Sequence, residues 1–554
     1  MRKISLILIF LISCLNTLTA QQVKIEKSAA FDEPGYGWNK LLQMKNGNTL
    51  FFHSTRKEGI DLVIYNKSRK QIATRTLESK LWNIRKMKQS LISGLYEING
   101  EAVLFVIQLQ DMEPTLYRMR INGTTGAIVK EDELGKLPEV NMVEAYASLM
   151  SKKDPSTIVV EKDPNSDCYA VVFFNTYAKD RNDRIEVVHY DGNHKVLNDQ
   201  FYDSPKGQFK YLKYLAVVVD GNKRVYVATY GHNGRSSDVS SRVIVSRLNA
   251  GDSTFTHKLL DFSEDFADTK SIMLYNHHTN ALQLLTLSYT KSKSHFFTGT
   301  TDNYYMTLLS YIDPETLSLI SVKPMMGEKI NAYGVANIDK DFEYIGLPQQ
   351  MVINNDNTTT LLSEKMTVVT TSHAMYGGAT NTSKRTFLGP VGISELSDTG
   401  AELRGYAINK QQGARGDFSE FYLANRAKGI FTYPQGILYM ATNDDEFLSY
   451  DYINAPGGRY VIFNDLTRNM EKDEDDEKRK TVTDVSQTNT ICYKLNDPKM
   501  EKFYLFGEPD GKKVDNYSCI QSSDYNKDIN TYATMLIERD GKDEQARIAW
   551  ITFP

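Results

Sequence analysis

Five acidic residues are the first candidates for chemistry in this chain: Glu364, Asp444, Asp445, Glu446 and Asp465. Glycoside hydrolysis needs two carboxylates roughly 5–10 Å apart, one to protonate the leaving group and one to act as base or nucleophile. Sequence spacing sets no such distance, so a carbohydrate-active or other hydrolase with an acidic site stays open as one function class. Other chemistries lack their motifs. No Gly-x-Ser-x-Gly elbow is present, which argues against a serine hydrolase. No glycine-rich phosphate loop follows a strand and opens a helix. The 9 histidines show no zinc-binding spacing. Asp163-Pro164-Asn165-Ser166-Asp167 starts like a calcium loop, but Cys168 replaces the required glycine and Phe174 stands at the twelfth position. A turn is expected there. No metal and no cofactor is expected.

A second set of residues suits binding rather than bond-breaking. His232 and Arg235, then His295, Phe296 and Phe297, then His373 and Tyr376, fall in three successive polar segments. Aromatic rings with polar neighbours fit a peptide or a glycan; the same residues could instead pack the loops on one another. Arg415-Gly416-Asp417 spells the tripeptide of integrin ligands and raises an adhesin as a third class. The same Asp417 reads as the N-cap of a short helix, with Glu420 three residues on and Gly429 as the stop.

The elements that must position these residues are repeats. Trp38 to Lys45 reads as a strand, Asn46-Gly47 as a hairpin turn, and Thr49 to Ser54 as the second strand. Asp61 to Tyr65 and Gln71 to Leu77 follow as third and fourth. First-hairpin turns recur at Asn99-Gly100, Asp163 to Asp167, Asp220 to Asn222, His278 to Asn280, Asn354 to Asn357, Ala455 to Gly458 and Asn526 to Asp528. Four short strands per copy predict an all-β, eight-bladed β-propeller of four-stranded antiparallel blades, with seven blades as the alternative. The last copy lacks a fourth strand, and Val23 to Ala29 precedes the first copy without a partner. The N-terminal strand is therefore expected to close the ring, which removes an open sheet edge.

In such a ring the loops between second and third strands share one face. They are long at Thr176 to Asp183, Gly231 to Ser240, Lys291 to Asn303, Ser372 to Lys384 and Thr467 to Thr490. That face is the expected contact surface for an unidentified protein, peptide or glycan.

Met1-Arg2-Lys3, the apolar run Ile4 to Ile12 and the small residues ending at Ala20 read as a signal peptide cut before Gln21. Leu11-Ile12-Ser13-Cys14 offers the alternative of a lipidated Cys14. Residues 21–554 then form a single propeller domain of an exported protein: periplasmic, secreted or on the outer surface. No later apolar run is long enough to span a bilayer. The net charge of -4 offers no basic field for nucleic acid. Cys168, Cys492 and Cys519 read as buried small hydrophobes, though Cys492 and Cys519 lie in neighbouring repeats and pairing between them stays open.

One stretch resembles a pattern in exported bacterial multi-blade propeller proteins of unknown function. It consists of Leu361-Leu362-Ser363-Glu364, Asp398-Thr399-Gly400, Lys410-Gln411, and Asn464-Asp465 with Asn469. The resemblance implies a shared architecture and an envelope location, and carries no activity.

Overall fold

The computed structural model describes residues 23–55, 59–139, 156–233, 241–261, 269–295, 300–374, 380–415, 418–432, 444–470, 479–496, 499–511 and 514–554. Strand pairing is antiparallel throughout the blades. Seven consecutive groups of four strands cover 38–77, 90–136, 157–201, 211–259, 269–324, 347–408 and 450–504. The eighth blade takes Val514–Asn526, Thr531–Asp540 and Asp543–Thr552 from the C-terminal end and Lys24–Lys27 from the N-terminal end. Ile25 pairs with Ile551 and Lys27 with Ala549. The expected eight-bladed ring and its closure are both present, and the seven-bladed alternative falls.

Blade 3 shows why the sequence folds this way. Its second strand, Tyr169–Phe174, is β-branched or aromatic at every position except Ala170, and all six residues are buried. It sits mid-blade with a neighbouring blade against each face, so an unbroken apolar run is what the position demands. The outer strand Val196–Phe201 has water on one side and is half polar. Each blade-to-blade junction carries its own apolar cluster. Trp38, Phe52 and Leu104 join blades 1 and 2. Tyr460, Ile551 and Phe553 join blades 7 and 8. Tyr517 and Trp550 of blade 8 pack with Leu41 and Phe51 of blade 1. The last of these clusters closes the circle.

The turns behave as their residues require. Gly47 has φ 88 and donates its N–H to the Met44 carbonyl. The calcium-like segment is a turn: Asp163 Oδ1 accepts from Asn165 N, and Oδ2 accepts from Ser166 Oγ and from Gly221 N of the next blade. Cys168, Cys492 and Cys519 are all buried free thiols.

The described parts of two expected loops, Lys291 to Asn303 and Ser372 to Lys384, are strands. Blade 5 extends its middle strands to Ala281–His295 and Thr300–Ile312, and blade 6 to Thr359–Ala374 and Thr380–Leu396. Thr300 pairs with Val369, which joins the two hairpins and makes the two blades one continuous sheet. Between these blades runs α1 (Glu328–Asn337), a helix without a strong apolar stripe. It lies against Gly405 of blade 6, where a Cβ would come within 2.3 Å of Ile330 N.

Candidate functional site

The first strands of successive blades line the ring axis, and one segment occupies the space between them. Phe418–Thr432 follows blade 6 and contains α2 (Tyr422–Ala427). It touches the first strands of five blades. Phe421 N donates to Pro348 O of blade 6. Arg426 donates to the carbonyls of Leu448 and Tyr450 and pairs with Asp451 at 2.5 Å, all at the start of blade 7. Leu95 N of blade 2 donates to Lys428 O, and Phe431 pairs with Ile92. Lys428 Nζ reaches Glu161 of blade 3 at 2.5 Å, and Gly429 lies against Lys40 of blade 1. The segment thus plugs the axial channel, and its two cations are neutralised by channel-lining carboxylates.

The expected helix exists but begins later. Phe421 precedes it at φ 61 with no side-chain cap. Its ring is buried with blades 5 and 6, and its N–H is taken by Pro348, so packing, not a capping box, sets the start. Gly429 ends it at φ 77, as expected. Asp417 lies outside the described residues.

Beside the plug is a buried polar network. Lys410 Nζ contacts Glu364 Oε1 at 2.5 Å, Ser449 Oγ at 2.6 Å and Gln412 Oε1 at 3.1 Å. Tyr422 OH donates to Glu364 Oε2 at 2.8 Å. Both members of the ion pair are 0% exposed. Burial draws the Lys410 pKa down, and the Glu364 carboxylate opposes that. Gln412 Nε2 continues to the Asn464 carbonyl, and Asn464 Nδ2 ties Phe447 O to Ser518 O. Blades 6, 7 and 8 are thereby joined through polar bonds as well as apolar contact.

Asp465 extends the network into the blade 7 insertion. Its Oδ1 accepts from Leu466 N and Asn469 Nδ2, and Arg479 stands 3.4 Å from Oδ2. Asn469 bonds Lys480 through both its amide atoms, which turns the insertion back toward blade 6. Val482 then exchanges backbone bonds with Gln411 and Gly413.

Burial raises the Asp465 pKa to about 6, against the opposing pull of Asn469, Arg479, Leu466 N–H and Lys410. The folded chain therefore holds a proton between pH 4 and 6 that the unfolded chain has released, and stability falls as pH rises through that window. Asp465→Asn is expected to remove this fall, about 3 kcal/mol across the window. Urea unfolding at half-unit pH steps reads the slope independently of any constant offset from the loss of the Arg479 partner. A variant that keeps the wild-type slope would show that another group titrates.

An open pocket of about 490 Å³ lies on the loop side of this network. Its apolar wall is Phe342, Phe387, Leu388 and Pro390; its polar wall is Asn409, Gln411, Gln412 and Thr481. Phe342 stacks on Tyr344 at 6.3 Å and 9°. Tyr344 is fixed in turn by its hydroxyl on Ser363 Oγ, 3.0 Å away, and by Gly346 and Gly392, where a Cβ would come within 2.1 Å of the hydroxyl and 2.4 Å of the ring. Gln412 belongs to both pocket and network, so the buried bonds hold the polar wall in place.

Of the seven residues expected to bind on the long-loop face, three are described. His232 ends the strand Arg224–His232 and stacks with Tyr211 at 5.1 Å and Tyr230 at 5.6 Å. His295 pairs through its backbone with Thr300 at the tip of the blade 5 hairpin, and His373 with Asn381 near the tip of the blade 6 hairpin. Arg235, Phe296, Phe297 and Tyr376 lie outside the described residues. Arg415 donates its backbone N–H to Asp445 Oδ1, while Gly416 and Asp417 are outside the described residues.

Of the acidic candidates, Glu364 and Asp465 are sealed in the network. Glu446 accepts from Asn39 Nδ2 at 2.8 Å, with Cys519 beside it. The four motifs of the family-like stretch divide cleanly. Glu364, Lys410, Asn464, Asp465 and Asn469 come together in the buried network and Gln411 lines the pocket beside it, whereas Asp398-Thr399-Gly400 is the turn between Thr380–Leu396 and Glu402–Ile408. The aromatic wall was missed. Phe342 and Phe387 carry no spacing signal, and only the ring brings them to the Lys410-Gln411 turn.

No family model matches the chain, and no curated protein does. Several solved structures align with the chain at low identity. A polysaccharide lyase, Uly1, is 10% identical, covers 83% of this chain and 90% of its own, and has a TM-score of 0.36. Prolyl oligopeptidase B from Galerina marginata is 8% identical over 94% of this chain, with a TM-score of 0.39; the match covers 56% of the peptidase. The β-propeller domain of Cps50 from Myceliophteria thermophila is 9% identical, covers 96% of this chain and 100% of its own, and has a TM-score of 0.32. Likenesses this distant say nothing about activity. The fold rests on the blade register itself: the chain is an eight-bladed β-propeller.

Proposed function

We propose that this chain is an exported, non-catalytic binding protein of the cell envelope that takes its ligand on the loop face around blade 6. The observation that carries this reading is the plugged axis. The space in which facing carboxylates would meet a substrate holds Phe418–Thr432, with Arg426 and Lys428 each paired to a channel carboxylate. The candidate acids Glu364 and Asp465 are buried and bonded, so neither faces an open mouth. Beside them opens a small pocket with a rigid wall, which suits capture of a ligand.

Export is supported by the basic start, the short apolar run and the small residues before Gln21. N-terminal sequencing of the mature chain is expected to begin at Gln21; a lipidated Cys14 would place it on a membrane surface instead. Screening of the purified chain on glycan and peptide arrays tests the binding reading. A retained ligand without turnover is expected, and efficient hydrolysis of any arrayed compound would overturn it.

A further inference from the structure

We infer that the blade 6 pocket binds a neutral saccharide of one or two pyranose rings; this rests on the binding reading above and names its ligand class. The chemistry of the walls points there. A pyranose has an apolar face of C–H bonds and an edge of hydroxyls. Phe387, 39% exposed on its strand, and Phe342 offer flat apolar surface on one side. Asn409 and Gln411 place amides, which both donate and accept, on the other, over the buried Gln412. Asp339, Glu343 and Lys365 also line the pocket, so charges of both signs are present and no cluster of one sign is built for an ion. The volume of about 490 Å³ falls within the ~300–1,000 Å³ of small-ligand sites.

An extended peptide fits less well. Such ligands gain affinity by adding a strand to a free sheet edge. The edge at this pocket is Gln412–Ala414, already paired to Thr386–Leu388 on one side and to Val482 on the other. The side chains that form the site also come pre-ordered. Tyr344 holds Phe342, and the Lys410–Glu364 pair holds Gln412. Less ordering entropy is then lost on binding.

Titration calorimetry of the full chain with maltose, cellobiose, lactose and chitobiose tests the inference. At least one is expected to bind with a negative heat-capacity change, and Phe387→Ala and Gln411→Ala are each expected to weaken it tenfold or more. Phe387 is partly exposed, so thermal unfolding of the variant should match the parent and separate lost binding from lost folding. Absence of binding by all four sugars, or binding indifferent to both substitutions, overturns the saccharide assignment. Peptide binding abolished by Phe387→Ala overturns it too, while leaving the binding reading intact. Release of reducing sugar from a bound disaccharide would sink the non-catalytic reading and keep the ligand class.

Discussion

Lys410→Met is expected to destabilise the folded chain by about 3–5 kcal/mol, a large share of the ~5–15 kcal/mol that holds a typical domain together. The methionine fits the space, so volume is not the cause. The loss comes from Glu364, which keeps the Ser449 and Tyr422 hydroxyls but no cation, at 0% exposure. Gln412 Oε1 loses its donor at the same time. Removing the charge as well should reverse much of this. In Lys410→Met with Glu364→Gln, a neutral carboxamide can still accept from Tyr422, and at least half the stability is expected to return. Denaturant unfolding of the three proteins measures both steps. If the single variant falls within about 1 kcal/mol of the parent, or the double variant is no better than the single, the pair does not hold blades 6 and 7 as argued.

The architecture was legible because local chemistry dictates it. Asn46-Gly47 and Asp220-Gly221-Asn222 demand tight turns, and Tyr169–Phe174 can be little else than a buried strand. Where tertiary contact decides, the sequence was silent or misleading. Lys291 to His295 and Thr370 to His373 contain no apolar residue, so no alternation marks them, yet backbone pairing carries the strands through. α1 has only Ile330 and Gly334 buried and depends on the absence of a side chain at Gly405. The plug is a loop by composition, and only the ring gives it an interior to fill.

The site lies between these extremes. The family-like motifs supplied Glu364, Lys410, Asn464 and Asp465. Lys410 and Ser449 reach Glu364 across 46 and 85 residues, however, and no spacing rule covers such distances. The aromatic partners were invisible for the same reason.

A chain lacking residues 23–29 is expected to lose about 5 kcal/mol and to aggregate at temperatures the parent tolerates. The strand Lys24–Lys27 gives only four register pairs, but its connections are dense. Val23 and Ile25 pack on the cluster between blades 7 and 8. Ser28 Oγ accepts from Ile548 N, Arg547 donates to Ser28 O, and Lys27 pairs with Glu538. Glu26 reaches Arg69, whose guanidinium lies over Trp550 at 4.9 Å, so the strand also ties blade 8 to blade 1. A few backbone bonds at about 1 kcal/mol and two apolar side chains at about 1–2 kcal/mol each account for the magnitude. Aggregation has a separate origin. Without its partner, the end of Asp543–Thr552, residues 549–552, becomes an unprotected edge, and its N–H and C=O groups can template pairing with another copy. A synthetic peptide of residues 23–31 added in trans should therefore suppress aggregation, and Glu26→Pro in the same peptide should not, because Glu26 faces Trp550 in a hydrogen-bonded pair and proline removes that ladder N–H. A truncated chain that stays monomeric with an unchanged unfolding midpoint would mean that the apolar clusters alone hold the ring shut.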